Sequence, residues 1–233
     1  MGVVGTCVLV FLITNLVYSS KDNTVWECVL YDSQAKYTYA ITRKYHVQRL
    51  VMPMVLHTGT NHLLFNMLSM FMIGFYIESL CLKKIHYLML LVVSAVGGNV
   101  MSALADVKNI SVGFSGALFG ILGCYLTYAL YNRDLILEWK RTLCIYALLL
   151  FFNIVWSFAS PTIDFYAHLG GFFVGFAMAP FVLKPRSLGI PAIKNPIPFE
   201  KFKKFCLGFL IGYFIIFTVA LFLRPIPDCE NEQ

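Results

Sequence analysis

Seven stretches of the chain carry no Asp, Glu, Lys or Arg: 1–20, 50–77, 85–105, 109–132, 142–163, 165–183 and 205–223, each 19 to 28 residues long. A bilayer core of about 30 Å takes roughly 20 helical residues to cross. Each stretch is therefore long enough to span once. Inside hydrocarbon the backbone must satisfy its own hydrogen bonds, which leaves helices or closed barrels, and unbroken apolar runs lack the alternation of barrel strands. The pattern predicts an all-α, polytopic membrane bundle with seven spanning helices. The only long polar intervals are 21–49 and 184–204, so the pattern leaves no room for a soluble domain within the sequence.

Composition agrees: 59% of the residues are hydrophobic and 13% charged, against about 25% charged in soluble domains. The net charge of +6 reports topology, because 11 of the 18 Lys and Arg fall in the loops after the second, fourth and sixth runs. The other side keeps eight acids, among them Asp228, Glu230 and Glu232. By the positive-inside rule the amino terminus is expected in the cytosol and the carboxyl terminus outside or in a lumen. No basic, aromatic-rich patch suggests nucleic acid. The first run lacks the basic leader of a cleaved signal peptide, and the myristoylation-like start at Gly2 and Thr6 opens a spanning run, so both are set aside.

The expected organisation is a six-helix membrane domain over 1–183, with a first helix at about 1–20 and a non-cytosolic loop over 21–49. A proline- and lysine-rich cytosolic linker follows at 184–204, then a seventh helix at 205–223 and an acidic tail at 224–233. Seven cysteines show no metal-ligand spacing, and four lie inside apolar runs where thiols act as small apolar groups. Cys28 and Cys229 alone share an aqueous side, which leaves a disulfide between them open. No metal or organic cofactor is implied.

Strongly polar groups in a membrane usually face a bundle interior or a wet cavity. Three clusters stand out: HTGTNHLLFN at 57–66, GFSG at 113–116 and AHLGGFFVG at 167–175. All three fall at the non-cytosolic starts of alternate runs. His62 and Asn66, four apart, share a helix face. Ser115 needs a base to become a nucleophile, and His168 is the candidate. The Ser115 backbone N–H, His62 and Asn66 are candidate donors to an oxyanion. Asp164, one turn before His168, lies at the water boundary, so a Ser–His dyad with the imidazole stacked on Phe119 is the simpler arrangement. Gly116 with Gly120, and Gly171 with Gly175, have the spacing that lets membrane helices approach closely. Each feature also has a plain structural use: a helix-start serine can bond its own helix, GxxxG pairs mostly pack, and His57, His46 and His86 read as structural or interfacial. Only the three clusters together, on one side of the membrane in alternate runs, point to chemistry.

These residues resemble the rhomboid family of intramembrane serine proteases: His57, His62 and Asn66 fit its H-x-x-x-x-H-x-x-x-N pattern, Gly113 to Gly116 its G-x-S-G, and Ala167 to Gly171 its AHxGG. Gly74 and Glu78 also fit. The resemblance implies Ser115 as nucleophile, His168 as general base, His62 and Asn66 as oxyanion partners, with Gly113 and Phe119 supporting them. It further implies single-span membrane proteins as substrates, cut at a helix-weakened segment, with entry past the fifth helix, whose inward face carries Phe152 and Trp156, or past the loop capping the cavity. A helix after the core is similar to secretase-type members, which points to the secretory pathway or cell surface. Two departures are Gln48 beside Arg49, where a tryptophan is usual, and Phe119, where tyrosine is frequent in bacterial members. A client-binding protein of the same fold, and a small transporter, are the rival classes. Asn109 begins a glycosylation sequon so near the membrane that it is expected to stay unmodified.

Overall fold

The computed structural model describes residues 2–19, 26–133, 136, 138–159, 163–184 and 198–225. The linker between 185 and 197, and the acidic tail with Cys229, lie outside the described residues, as do the side chains of Phe152 and Trp156. The architecture is all-α, as the apolar pattern predicts. Its helices are α1 (Gly2–Ser19), α2 (Trp26–Asp32), α3 (Thr38–Arg43), α4 (Thr60–Ser69), α5 (Phe75–Leu80), α6 (Lys84–Ala105), α7 (Ser115–Tyr131), α8 (Trp139–Ala159), α9 (Phe165–Val182) and α10 (Phe199–Leu223). Among the described residues five rods are long and apolar enough to cross a membrane, α4 and α5 counting as one rod over Thr60–Leu80. At 17 residues, α7 is shorter and equally apolar.

Three boundaries depart from the uncharged runs, for local reasons. The second run starts at 50, yet its first residues form two 3₁₀ turns, Val47–Leu50 and Met52–Val55, with Pro53 in the second, and the helix begins only at Thr60. The fourth run loses residues 109–114 to an extended segment that ends at Gly113, whose φ of +137° suits a residue without a Cβ. The interval 21–49 is not a plain loop, since α2 and α3 lie inside it. The π turn Met70–Gly74 joining α4 to α5 has no counterpart in the sequence pattern. At Gly74 a methyl group would lie 2.5 Å from the Met70 sulfur and 2.8 Å from the Tyr87 hydroxyl, so glycine admits α6 there.

Helices α6, α7 and α9 form the centre, and backbone contact sets their spacing. A methyl group at Gly171 would overlap the Gly116 carbonyl, and one at Gly175 the Gly120 carbonyl. Gly98 on α6 meets the Ala167 carbonyl of α9 in the same way, and Gly120 meets the Ser94 side chain. Lipid supplies no hydrophobic drive between helices, so such close contact, with its dispersion and weak hydrogen bonds, is what holds them. Large apolar side chains point outward instead, Ile211, Ile215, Ile216 and Leu223 on α10 among them.

Two buried cations order the first polar interval, Arg49 within it and Lys36 by reaching the segment after α6. Arg49, 2% exposed, stacks its guanidinium 4.2 Å from the Tyr31 ring centroid and donates to the Ala35 carbonyl at 2.8 Å. Gln48, at the position of the family tryptophan, bonds Gln34 at 2.9 Å, so here Tyr31 offers the aromatic face to the arginine.

Lys36 is fully buried and donates to the carbonyls of Asp106 at 3.0 Å and Asn109 at 3.1 Å. Its backbone pairs with Ser111 in both directions, at 2.9 and 3.1 Å. Burial holds its ammonium below the usual lysine value, and the carboxylates of Asp164 and Asp106 pull it back up. Replacing Lys36 by Met removes two charge-assisted bonds and recovers some desolvation cost, for a net loss of about 2 kcal/mol. Thermal unfolding in detergent reads this; an unchanged midpoint would mean the latch adds no stability.

Candidate active site

The segment before α7 delivers Ser115. From Asp106 it runs back toward the bundle, paired with Lys36 at Ser111 and anchored by the Gly113 N–H to the Pro53 carbonyl at 2.9 Å. Phe114, fully buried, plugs the end of the segment. Ser115 is the first residue of α7, so it sits where the helix leaves N–H groups without partners in its own ladder and where the dipole favours negative charge.

His62 meets Ser115 across Gly113. A methyl group built on Gly113 would lie 2.8 and 2.9 Å from His62 Cε1 and Nε2 and 3.6 Å from Ser115 Oγ. That corner is open to both side chains only because residue 113 is glycine. Thr58 Oγ1 lies 3.0 Å from His62 Nδ1, which leaves Nε2 on the Gly113 side. His57, fully buried, sets its ring edge-on to His62 with centroids 5.2 Å apart. Asn66, one turn along α4, is 5% exposed, and its Nδ2 is buried without a hydrogen-bond acceptor. A buried donor left unpaired costs stability, and such an atom is suited to a group that arrives only during reaction.

His168 is 8% exposed on the first turns of α9, its ring stacked on Phe119 at 4.2 Å and 10°. Phe119 is one turn along α7 from Ser115, and Gly116 packs against the α9 backbone at Ala167 and Gly171. The turn carrying Ser115 therefore lies against the turn carrying His168. Asp164 is engaged otherwise: one carboxylate oxygen caps α9 by accepting from the Ala167 N–H at 2.9 Å, and the other accepts a short bond from Ser102 of α6. It fixes the start of the helix that carries His168.

An apolar cavity of about 100 Å³ flanks the stack, walled by Phe119, His168, Leu150 of α8, Phe165 and Phe172. Among the described residues no group of three or more His, Cys, Asp or Glu is placed to hold a metal. Linear reading missed Lys36, Tyr31 and Ser102. A lysine in a polar interval looks like a topology charge, and nothing local marks it as buried. Asn109, exposed, has its amide nitrogen 3.0 Å from both Asp106 carboxylate oxygens while its carbonyl accepts from Lys36. It is expected to stay unglycosylated, checked by the absence of a mass shift on glycosidase treatment.

The bundle thus holds a serine at a helix start, a buried histidine on the neighbouring turn of α9 and the unpaired amide nitrogen of Asn66. The chain belongs to the rhomboid family: the family's rhomboid domain matches residues 44–185. It is 35% identical over 147 residues to RHOMBOID-like protein 1 of Arabidopsis thaliana, covering 63% of this chain and 37% of that protein. It is 36% identical over 194 residues to RHOMBOID-like protein 6, mitochondrial, of the same plant, covering 78% and 61%. With Rhomboid protease GluP of Bacillus subtilis it shares 34% over 143 residues, covering 61% and 26%. The chain thus spans less than two thirds of the length of each of these relatives. It is an integral, multi-pass membrane protein of a family with named proteases.

Proposed function

We propose that this protein is an intramembrane serine endopeptidase in which Ser115 is the nucleophile and His168 the general base. The observation that carries the reading is the joint placement of Ser115 beside His62 at Gly113 and of His168 on Phe119, one turn further along the same helix. In the reaction His168 takes the Ser115 proton as the oxygen attacks a peptide carbonyl. The oxyanion is received by the Ser115 N–H, the Asn66 amide and His62. His168 then returns the proton to the leaving amine, and water repeats the sequence on the acyl-enzyme.

The substrate class is a single-span membrane protein. An intact helix buries its carbonyls in its own bonds, so the cut segment must unwind near the outer end of the span. Glycine, alanine or serine beside helix-weakening residues suits that step. The apolar cavity beside His168 would take an apolar substrate side chain, while water reaches Ser115 from the side of His62 and Asn66. The site opens to the non-cytosolic side, with the amino terminus in the cytosol, and the helix after the core favours the secretory pathway or plasma membrane. One relative carries mitochondrial in its name, so mitochondrial import is the competing result of cell fractionation.

The test is cleavage of a purified single-span protein in proteoliposomes, with the cut mapped by mass spectrometry. A cut within or next to the span supports the proposal. Binding without any cut, under conditions where the protein is folded, would replace it with client binding.

A further inference from the structure

The family match ends at residue 185, and α10 lies beyond it. This helix is nonetheless joined to the helix of His168 through backbone contacts. Tyr213, 6% exposed, donates from its hydroxyl to the Gly97 carbonyl of α6 at 2.8 Å. The same hydroxyl is 2.7 Å from where a methyl group on Gly170 of α9 would stand, and the Gly97 carbonyl is 2.8 Å from that point. Two backbones and one phenol thus meet at one spot. Phe217 stacks on the Tyr213 ring at 4.5 Å and 17°, which fixes the direction of the hydroxyl.

Gly170 is two residues past His168, about 200° further round the helix. It therefore faces away from the imidazole. Gly171, about 300° round from His168, meets α7 at Gly116. Helix α9 is gripped on one face by α7 and, about 100° round, on an adjoining face by α6 with α10. A second tie sits at the outer end of α10: Leu221 is buried with Ile41 and Ala103, and Arg224 donates to the Leu104 carbonyl. Helix α6, so braced, holds the start of α9 through Gly98 against the Ala167 carbonyl and Ser102 on Asp164.

We infer that Tyr213 of the seventh spanning helix is a positioning residue for His168, acting through the Gly97 and Gly170 backbones. The inference rests on His168 serving as the base. Its hydroxyl pins the rear face of α9, so that thermal motion of the helix does not carry the imidazole out of line with Ser115. Substrate does not touch it.

Tyr213→Phe removes one oxygen and keeps the ring and its stack on Phe217. In proteoliposomes kcat is expected to fall about fivefold, the size of one lost buried hydrogen bond, with KM unchanged. Amide exchange at residues 165–171 is expected to quicken, while the unfolding midpoint shifts little. Gly212→Ala, on an open face of α10, serves as the control and should match wild type in both readouts. Wild-type kcat or wild-type exchange in Tyr213→Phe overturns the inference, as does a change confined to KM. If the wild-type protein cuts nothing, the fault lies with the assignment of Ser115 and His168, and the exchange comparison alone still decides whether Tyr213 holds α9.

Discussion

Ser115→Ala and His168→Ala should each leave cleavage at the background of protein-free liposomes, a loss of at least about 10³-fold in kcat, because a nucleophile and its base act as a unit. The double variant should be no worse than either single one. Asn66→Ala keeps both partners and the helix start, and removes one donor to the oxyanion, so its expected loss is smaller, about 10²-fold. Such ordering separates chemistry from folding. Ser115→Ala changes one oxygen at the first residue of α7, and its unfolding midpoint should match wild type. A Ser115→Ala protein that still cuts the span at the same bond would remove the serine from the mechanism.

Gly175→Val should be the most damaging change away from the site. At Gly175 even a methyl group would overlap the Gly120 carbonyl and crowd its Cα. Both are backbone atoms in the middle of α7, so no rotamer change relieves them and the helices must separate. Overpacking commonly costs about 1–3 kcal/mol, and contact with backbone that no rotamer change can relieve puts this case at about 3 kcal/mol or more. Separation also pulls apart the turns of Gly116 and Gly171, which adjoin Ser115 and His168. The expected result is a large drop in unfolding midpoint together with lost cleavage. Gly208→Val makes the informative comparison, because an added methyl group at Gly208 meets nothing within 4 Å. Equal midpoints for the two variants would show that the α7 and α9 contact does not set the spacing.

How much of this was legible in the sequence depends on whether the signal is local. Spans could be read from charge spacing because hydrocarbon excludes charge from every helix alike. The close helix pair could be read from Gly116, Gly120, Gly171 and Gly175, since small residues four apart are a local pattern with one physical use. The start of α4 could not be read from charge, because Pro53 and Gly59 end regular structure without adding any. Lys36 and Arg49 misled in the opposite sense. Their charges counted as topology signals, whereas each is buried against carbonyls supplied by the fold. Asp164 was legible as a neighbour of His168, but of its two partners only the Ala167 N–H is local, and Ser102 belongs to a helix three spans earlier.

The scattering of the site along the chain has a consequence for biogenesis. Roughly a hundred residues separate His62 from His168, with the Ser115 helix between them, and at about 5–20 residues per second that stretch takes several seconds to synthesise. For the later part of that interval the helix of Ser115 has been made and the helix of His168 has not. Under the proposed mechanism the nascent protein then lacks its base and cannot cut the chains inserted beside it, and competence arrives as one late event when α9 docks glycine to glycine on α7.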